Sequence, residues 1–168
     1  RFDGPVALKL VSPQILHKSD AGGVALGLDG ADEVTEAFGR IVASARAYDP
    51  DAEVRGVLVS PMADPGVEVF VGTKVDDQFG PVILFGIGGV LVEVLEDVVF
   101  RVLPLSQRSA AEMIDAIRST KLLDGFRGQP PVDRAAIAQL LTTVSELIQA
   151  YPDILTMDLN PVLAHEHG

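Results

Sequence analysis

The chain contains no cysteine. Disulfides and thiolate metal sites are therefore excluded, and a reducing compartment is compatible with the sequence. Positive charge is also scarce: 13 Lys and Arg stand against 24 Asp and Glu, a net charge of −11. That balance argues against nucleic acid or an anionic membrane surface as the main partner, because both require a basic face. It leaves room for a local anion site. Long apolar runs are missing too. The best candidate, Pro81 to Leu95, is cut by Gly86, Gly88, Gly89 and Glu93 and is too short to cross a bilayer. No signal peptide is visible, so the expectation is a soluble cytoplasmic protein. The chain opens on Arg1 rather than Met, and both ends are expected to be cut from a longer protein. What remains is 168 residues, 48% of them apolar, enough for a core and too apolar for disorder.

The most informative stretch is Ser12-Pro13-Gln14-Ile15-Leu16-His17-Lys18-Ser19-Asp20-Ala21-Gly22-Gly23-Val24, directly after the strand-like Val6–Val11. Lys9 is a cation inside that apolar run. It needs an anionic partner, or else it snorkels to water from an edge strand. His17 is a proton carrier or nucleophile near neutral pH, or simply a solvated loop residue, and Asp20 is placed to orient it. Gly22 and Gly23 allow backbone N–H groups to approach a phosphate.

Alternation and apolar runs predict strands at Val6–Val11, Val24–Leu28, Val54–Ser60, Val67–Val75, Pro81–Phe85, Val98–Leu103 and Thr156–Val162. Apolar spacing from Val34 to Ala45 predicts a helix. The acids from Asp29 to Glu36 read as its N-terminal turn rather than as a metal site. Ser106 and Asp133 are expected to cap two further helices. The order β-β-α-β-β-β-β-α-α-β is not a strict alternation. An α/β (α+β) fold follows, with an antiparallel-rich sheet and packed helices.

Three further groups are candidates. Gly86-Ile87-Gly88-Gly89 is either a phosphate-contacting loop or a tight turn. Glu93, Asp97 and Arg101 recur every fourth position, and an ion pair from Arg101 to Asp97 is one reading of them. Asp158 and Asn160 alternate on a strand, so their oxygens can converge on one hard cation; alternatively Asn160-Pro161 is only a turn. Glu68 is placed to meet a ribose or a metal. His165 and His167 read as a tail.

Lys9-x-x-Ser12-Pro13-x-Ile15-x-His17-Lys18-Ser19-Asp20-x-Gly22-Gly23-Val24 resembles the signature of the ATP-grasp domain of NDP-forming acyl-CoA synthetases, the relatives of succinyl-CoA synthetase. The resemblance continues through Asp77–Ile83, Phe85–Gly89, Glu93, Asp97, Phe100–Leu105 and Asp158–Pro161. It implies a partial ATP-grasp fold over residues 1–168, without the leading subdomain and final strand. It implies a nucleotide domain serving the reaction acid + ATP + CoA = acyl-CoA + ADP + phosphate. His17 would be transiently phosphorylated, with Asp20 and Glu93 as catalytic carboxylates. Lys9, Lys18, Gly22, Gly23, Gly86, Gly88 and Gly89 would contact ATP or ADP, and Asp158 and Asn160 would hold Mg. Val57–Met62 resembles the hinge that receives adenine. CoA would bind on an absent ligase domain or subunit, in a hetero- or homo-oligomer of the full-length protein, which on its own this chain would not replace. The alternative implied is a regulatory synthetase-like module fused to a protein acetyltransferase.

Overall fold

The computed structural model describes residues 3–89, 97–125, 128 and 130–168. They form two compact units, residues 1–64 and 65–168. The link between them is the turn-rich Pro61-Met62-Ala63-Asp64-Pro65-Gly66.

The first unit contains β1 (Val6–Val11), β2 (Val24–Leu28), α1 (Ala31–Tyr48) and β3 (Gly56–Pro61). Its sheet has the order β2-β1-β3, antiparallel throughout. Val6, Leu8 and Leu10 face α1, where Ala37, Ile41 and Ala45 are buried. Burying side chains of the size of Leu8, Leu10 and Ile41 stabilises a fold by roughly 1.5–3 kcal/mol each. The acidic start of the helix is structural: Glu33 Oε2 accepts the Asp29 N–H at 2.9 Å, and Glu36 pairs with Arg40. Gly27, at φ 68°, sits at a register shift between β1 and β2, where a left-handed residue lets one strand bulge.

The second unit contains β4 (Val67–Asp76), β5 (Gly80–Ile87), β6 (Val98–Val102), α2 (Gln107–Asp115), α3 (Arg134–Ala150) and β7 (Thr156–Ala164). The sheet order is β6-β5-β4-β7, again antiparallel. The described elements follow the order predicted from sequence, but the antiparallel strands divide into two sheets rather than one. Both predicted caps are present. Ser106 Oγ accepts the Ser109 N–H at 3.1 Å, and Asp133 Oδ1 accepts the Ala136 N–H at 2.9 Å. Each is worth about 1 kcal/mol. The helices bury Met113, Ile114, Leu141 and Val144 against Val69, Val71, Ile83 and Phe85. That leaves the other face of the four-stranded sheet open. No described helix is long and apolar enough to cross a membrane.

Candidate functional site

Each unit has one sheet face packed on helices and one that is not. The candidate residues collect on the latter and on the loop between β1 and β2. Lys9 is exposed and lies on β1, opposite Val24 on one side and Leu58 on the other. β1 is the central strand of its sheet, so the edge-strand reading of Lys9 is corrected: neighbours hydrogen-bond on both sides. Its register neighbours Val24 and Leu58 are apolar, and Leu26 and Leu58 are more than half exposed. A flat apolar patch with one cation suits a ring carrying phosphates.

The His17 loop is pinned at two points. Ile15 and Ala21 are buried in the first core, while His17, Ser19 and Asp20 are exposed between them. Its backbone turns on itself. The Ala21 N–H donates to the His17 carbonyl at 3.4 Å, that of Gly22 to Ser19 at 3.1 Å, and that of Gly23 to Lys18 at 2.7 Å. The N–H groups of Gly22 and Gly23 are thus engaged within the loop. This departs from their expected approach to a phosphate: in this arrangement the two glycines shape the turn. Gly22 has φ 63°, and a Cβ on Gly23 would stand 2.9 Å from Leu10 Cβ and 3.0 Å from the Lys18 carbonyl. We expect Gly23→Ala to cost about 1–3 kcal/mol by overpacking, read as a lowered midpoint in urea unfolding. An unchanged midpoint would show that the loop gives way freely. No hydrogen bond joins His17 to Asp20 among the described residues, so the imidazole is presented free on a braced turn.

In the second unit, strand alternation places Glu68, Phe70, Gly72 and Lys74 of β4 on the open face. Asp158 lies directly opposite Gly72, and Asn160 follows two residues along, at the register shift between β4 and β7. Both are exposed, whereas their neighbours Met157 and Leu159 pack on the core. Gly72 offers no side chain, so the space in front of Asp158 is clear. The donor set is one carboxylate and one amide oxygen, and no cluster of three potential metal-ligating His, Asp or Glu side chains exists among the described residues. Two hard oxygens fit a Mg ion whose other ligands are water and phosphate, and would be too few for a metal held by protein alone.

The glycine-rich segment borders the same face. Gly86 lies within β5 rather than in a turn, and a Cβ there would stand 2.5 Å from the Asp97 carbonyl. The Gly88 N–H donates to the Glu68 carbonyl at 2.7 Å. Gly89, at φ 76°, passes so close to Glu68 that its Cβ would meet Oε2 at 2.7 Å. Glu93 lies outside the described residues. The ion pair between Arg101 and Asp97 is not formed. The Asp97 carboxylate is 7% exposed and accepts the Arg118 and Ser119 N–H groups, each at 2.7 Å, while Arg101 donates to the Phe100 carbonyl. Burial works to raise the pKa of Asp97, but those N–H donors outweigh it and hold the group below the usual carboxylate range. Its stabilisation is therefore full above the ordinary carboxylate pKa and is lost as pH falls through the depressed folded value. We expect Asp97→Asn to destabilise the protein by about 1.5–3 kcal/mol at neutral pH, the scale of a hydrogen bond to a charged group, and by less in acid. Equal losses at pH 7 and pH 3 in thermal unfolding would exclude a charge contribution.

Sequence reasoning missed Gly72, Lys74, Leu84 and Phe100 as parts of this face. The signal was present in the alternation of β4, which groups Glu68 with Phe70, Gly72 and Lys74.

The comparisons place the chain in a family. The family model described as an ATP-grasp domain matches residues 1–168. The chain belongs to that family. It is 49% identical over 164 residues to the ADP-forming acetate–CoA ligase I of Archaeoglobus fulgidus, covering 98% of this chain and 24% of that protein. It is 47% identical over 162 residues to the beta subunit of ADP-forming acetate–CoA ligase I of Pyrococcus furiosus, covering 96% of this chain and 70% of the subunit. The chain thus spans about a quarter of the former and most of the latter. The structure of acetyl-coenzyme A synthetase 1 of Ca. Korarchaeum cryptofilum, in complex with coenzyme A and Ca-AMPCP, superposes with a TM-score of 0.90 at 47% identity. The match covers 98% of this chain and 72% of that one. In a Mg-AMPPCP complex of the same protein (TM-score 0.81, 44% identity, 98% and 71% covered), a phosphohistidine segment points towards the nucleotide binding site.

Proposed function

We propose that this chain is the nucleotide-binding, phosphoryl-transfer part of an ADP-forming acyl-CoA ligase. The observation that carries the reading is the face of β7. Asp158 and Asn160 are both exposed there, and Gly72 opposite Asp158 carries no side chain to obstruct the approach. Mg, when bound between these oxygens and the nucleotide, neutralises phosphate charge. The chain's own residues then divide the work. Lys9 offers its ammonium to the phosphates from an otherwise apolar patch. His17 carries the phosphoryl group: the lone pair of a ring nitrogen supplies the electrons for the new N–P bond. Asp20 and Lys18 flank it on the loop, and Gly86, Gly88 and Gly89 border the nucleotide face. Catalysis of this kind is mainly positioning and charge neutralisation.

The reaction served is acid + ATP + CoA = acyl-CoA + ADP + phosphate. CoA and the acid are handled by a partner domain or subunit, as the shares of the relatives covered by this chain support. Calorimetric titration of the full-length protein with ADP, with and without Mg, tests the reading. The expected result is micromolar binding that requires Mg. Absence of Mg-dependent binding would overturn it.

A further inference from the structure

The His17 loop is held in place by elements outside it. Its return limb is three small residues, Ala21-Gly22-Gly23, and each packs on the first unit. Ala21 is buried in the core with Ala37, Ile41 and Ala45 of α1. Gly23 backs onto Leu10 of β1, and its carbonyl accepts the Leu10 N–H at 2.7 Å. Gly22 backs onto α1, where a Cβ would stand 3.2 Å from both Cβ and Oγ of Ser44. Ser44 follows Ile41 by three residues, on the flank of the buried stripe Ala37-Ile41-Ala45.

The same three residues grip the exposed tip. Ala21, Gly22 and Gly23 donate their N–H groups to the carbonyls of His17, Ser19 and Lys18 in turn. A shift of the return limb therefore carries the His17 backbone with it. Side chains add little to this hold: among the described residues, the loop's side-chain hydrogen bonds are confined to Ser12 and Gln14 at its entry. Ser44 is not accounted for by its own helix. Its hydroxyl makes no hydrogen bond among the described residues, and serine is a weaker helix former than alanine. What the contact with Gly22 calls for at this position is a short side chain.

We propose that Ser44 is a positioning residue for His17: its short side chain sets how closely the return limb seats on α1, and so where the imidazole stands. This rests on the phosphoryl-carrier role proposed above. Ser44 acts through the backbone of Gly22 and Ser19, not by contact with the reacting atoms. Small displacements matter for such a carrier. Its nitrogen must approach phosphorus in line with the bond that breaks, and a misplacement of about 1 Å costs on the order of a hundred-fold in rate.

The test uses the full-length enzyme and the variants Gly22→Ala, Ser44→Gly, Gly22→Ala/Ser44→Gly and Ser44→Leu. Ala43→Leu, on the exposed side of α1, is the control. Labelling of His17 by γ-labelled Mg-ATP is followed by rapid quench, alongside unfolding midpoints and Mg-ADP affinity. In Gly22→Ala two effects combine: strain of a left-handed residue at φ 63° and contact with Ser44. Both lower the midpoint, but only the contact moves the seat. We expect labelling to slow about ten-fold in Gly22→Ala and in Ser44→Leu. In the double variant it should recover to within about two-fold of wild type while the midpoint stays low, because the strain at residue 22 remains and glycine weakens a helix interior. Mg-ADP affinity should stay within about two-fold throughout, and Ala43→Leu should match wild type. A double variant as slow as Gly22→Ala would overturn the assignment, since strain alone would then explain the loss. Labelling at the wild-type rate in Ser44→Leu would also overturn it, and that variant decides alone if Gly22→Ala fails to fold. So would nucleotide affinity falling in step with labelling, which would make the seat part of the nucleotide site. Wild-type enzyme that takes no label from ATP would overturn the functional reading itself, and this control separates that failure from failure of the seat.

Discussion

Replacing His17 with Ala is expected to abolish acyl-CoA formation by the full-length enzyme while leaving nucleotide binding nearly intact. Three observations set the two expectations apart. The side chain is exposed, it makes no hydrogen bond among the described residues, and the loop around it is held by Ile15, Ala21 and backbone bonds that Ala preserves. Stability should therefore change by no more than about 0.5 kcal/mol, as at other exposed positions. Nucleotide affinity should stay within a few-fold, about 1 kcal/mol or less. Turnover should fall by at least about a thousand-fold, because a covalent carrier has no substitute once its nucleophile is gone. Steady-state assay and calorimetry on the same preparation give both numbers. Normal turnover would exclude His17 from the relay. A matching loss of nucleotide affinity would make it a binding residue instead.

The second large effect is expected at Asp158. Asp158→Ala should weaken nucleotide binding about ten- to hundred-fold when Mg is present, the affinity equivalent of losing a charged contact of 1.5–3 kcal/mol. Without Mg, the variant should bind no more weakly than wild type, because the carboxylate then repels phosphate with no cation between them. Asp158→Asn keeps one oxygen donor and should fall between. Folding should be unaffected, since Asp158 is exposed on β7 and faces Gly72, which it does not pack against. Equal affinities of wild type and Asp158→Ala in saturating Mg would remove the metal role and leave Asn160-Pro161 as a strand feature alone.

Much of this was legible along the chain because it depends on local chemistry. Strands declare themselves by alternation and helices by spacing and caps, so Ser106 and Asp133 could be named as caps before any coordinates. His17, Asp158 and Asn160 could be singled out as candidates for the same reason, residue type at a fixed spacing. Three matters were decided only in three dimensions. The strands divide between two sheets, because which strands pair is set by long-range register and by which faces the helices cover. The Gly22 and Gly23 N–H groups are drawn into the loop's own turn, and Asp97 turns away from Arg101 to the backbone of Arg118 and Ser119, because a buried polar group takes the donors that packing brings to it. The row from Asp158 through Gly72 and Leu84 to Phe100 joins residues far apart in sequence. Side chains on neighbouring strands share a face only after the ladder has formed, and no spacing along the chain records that.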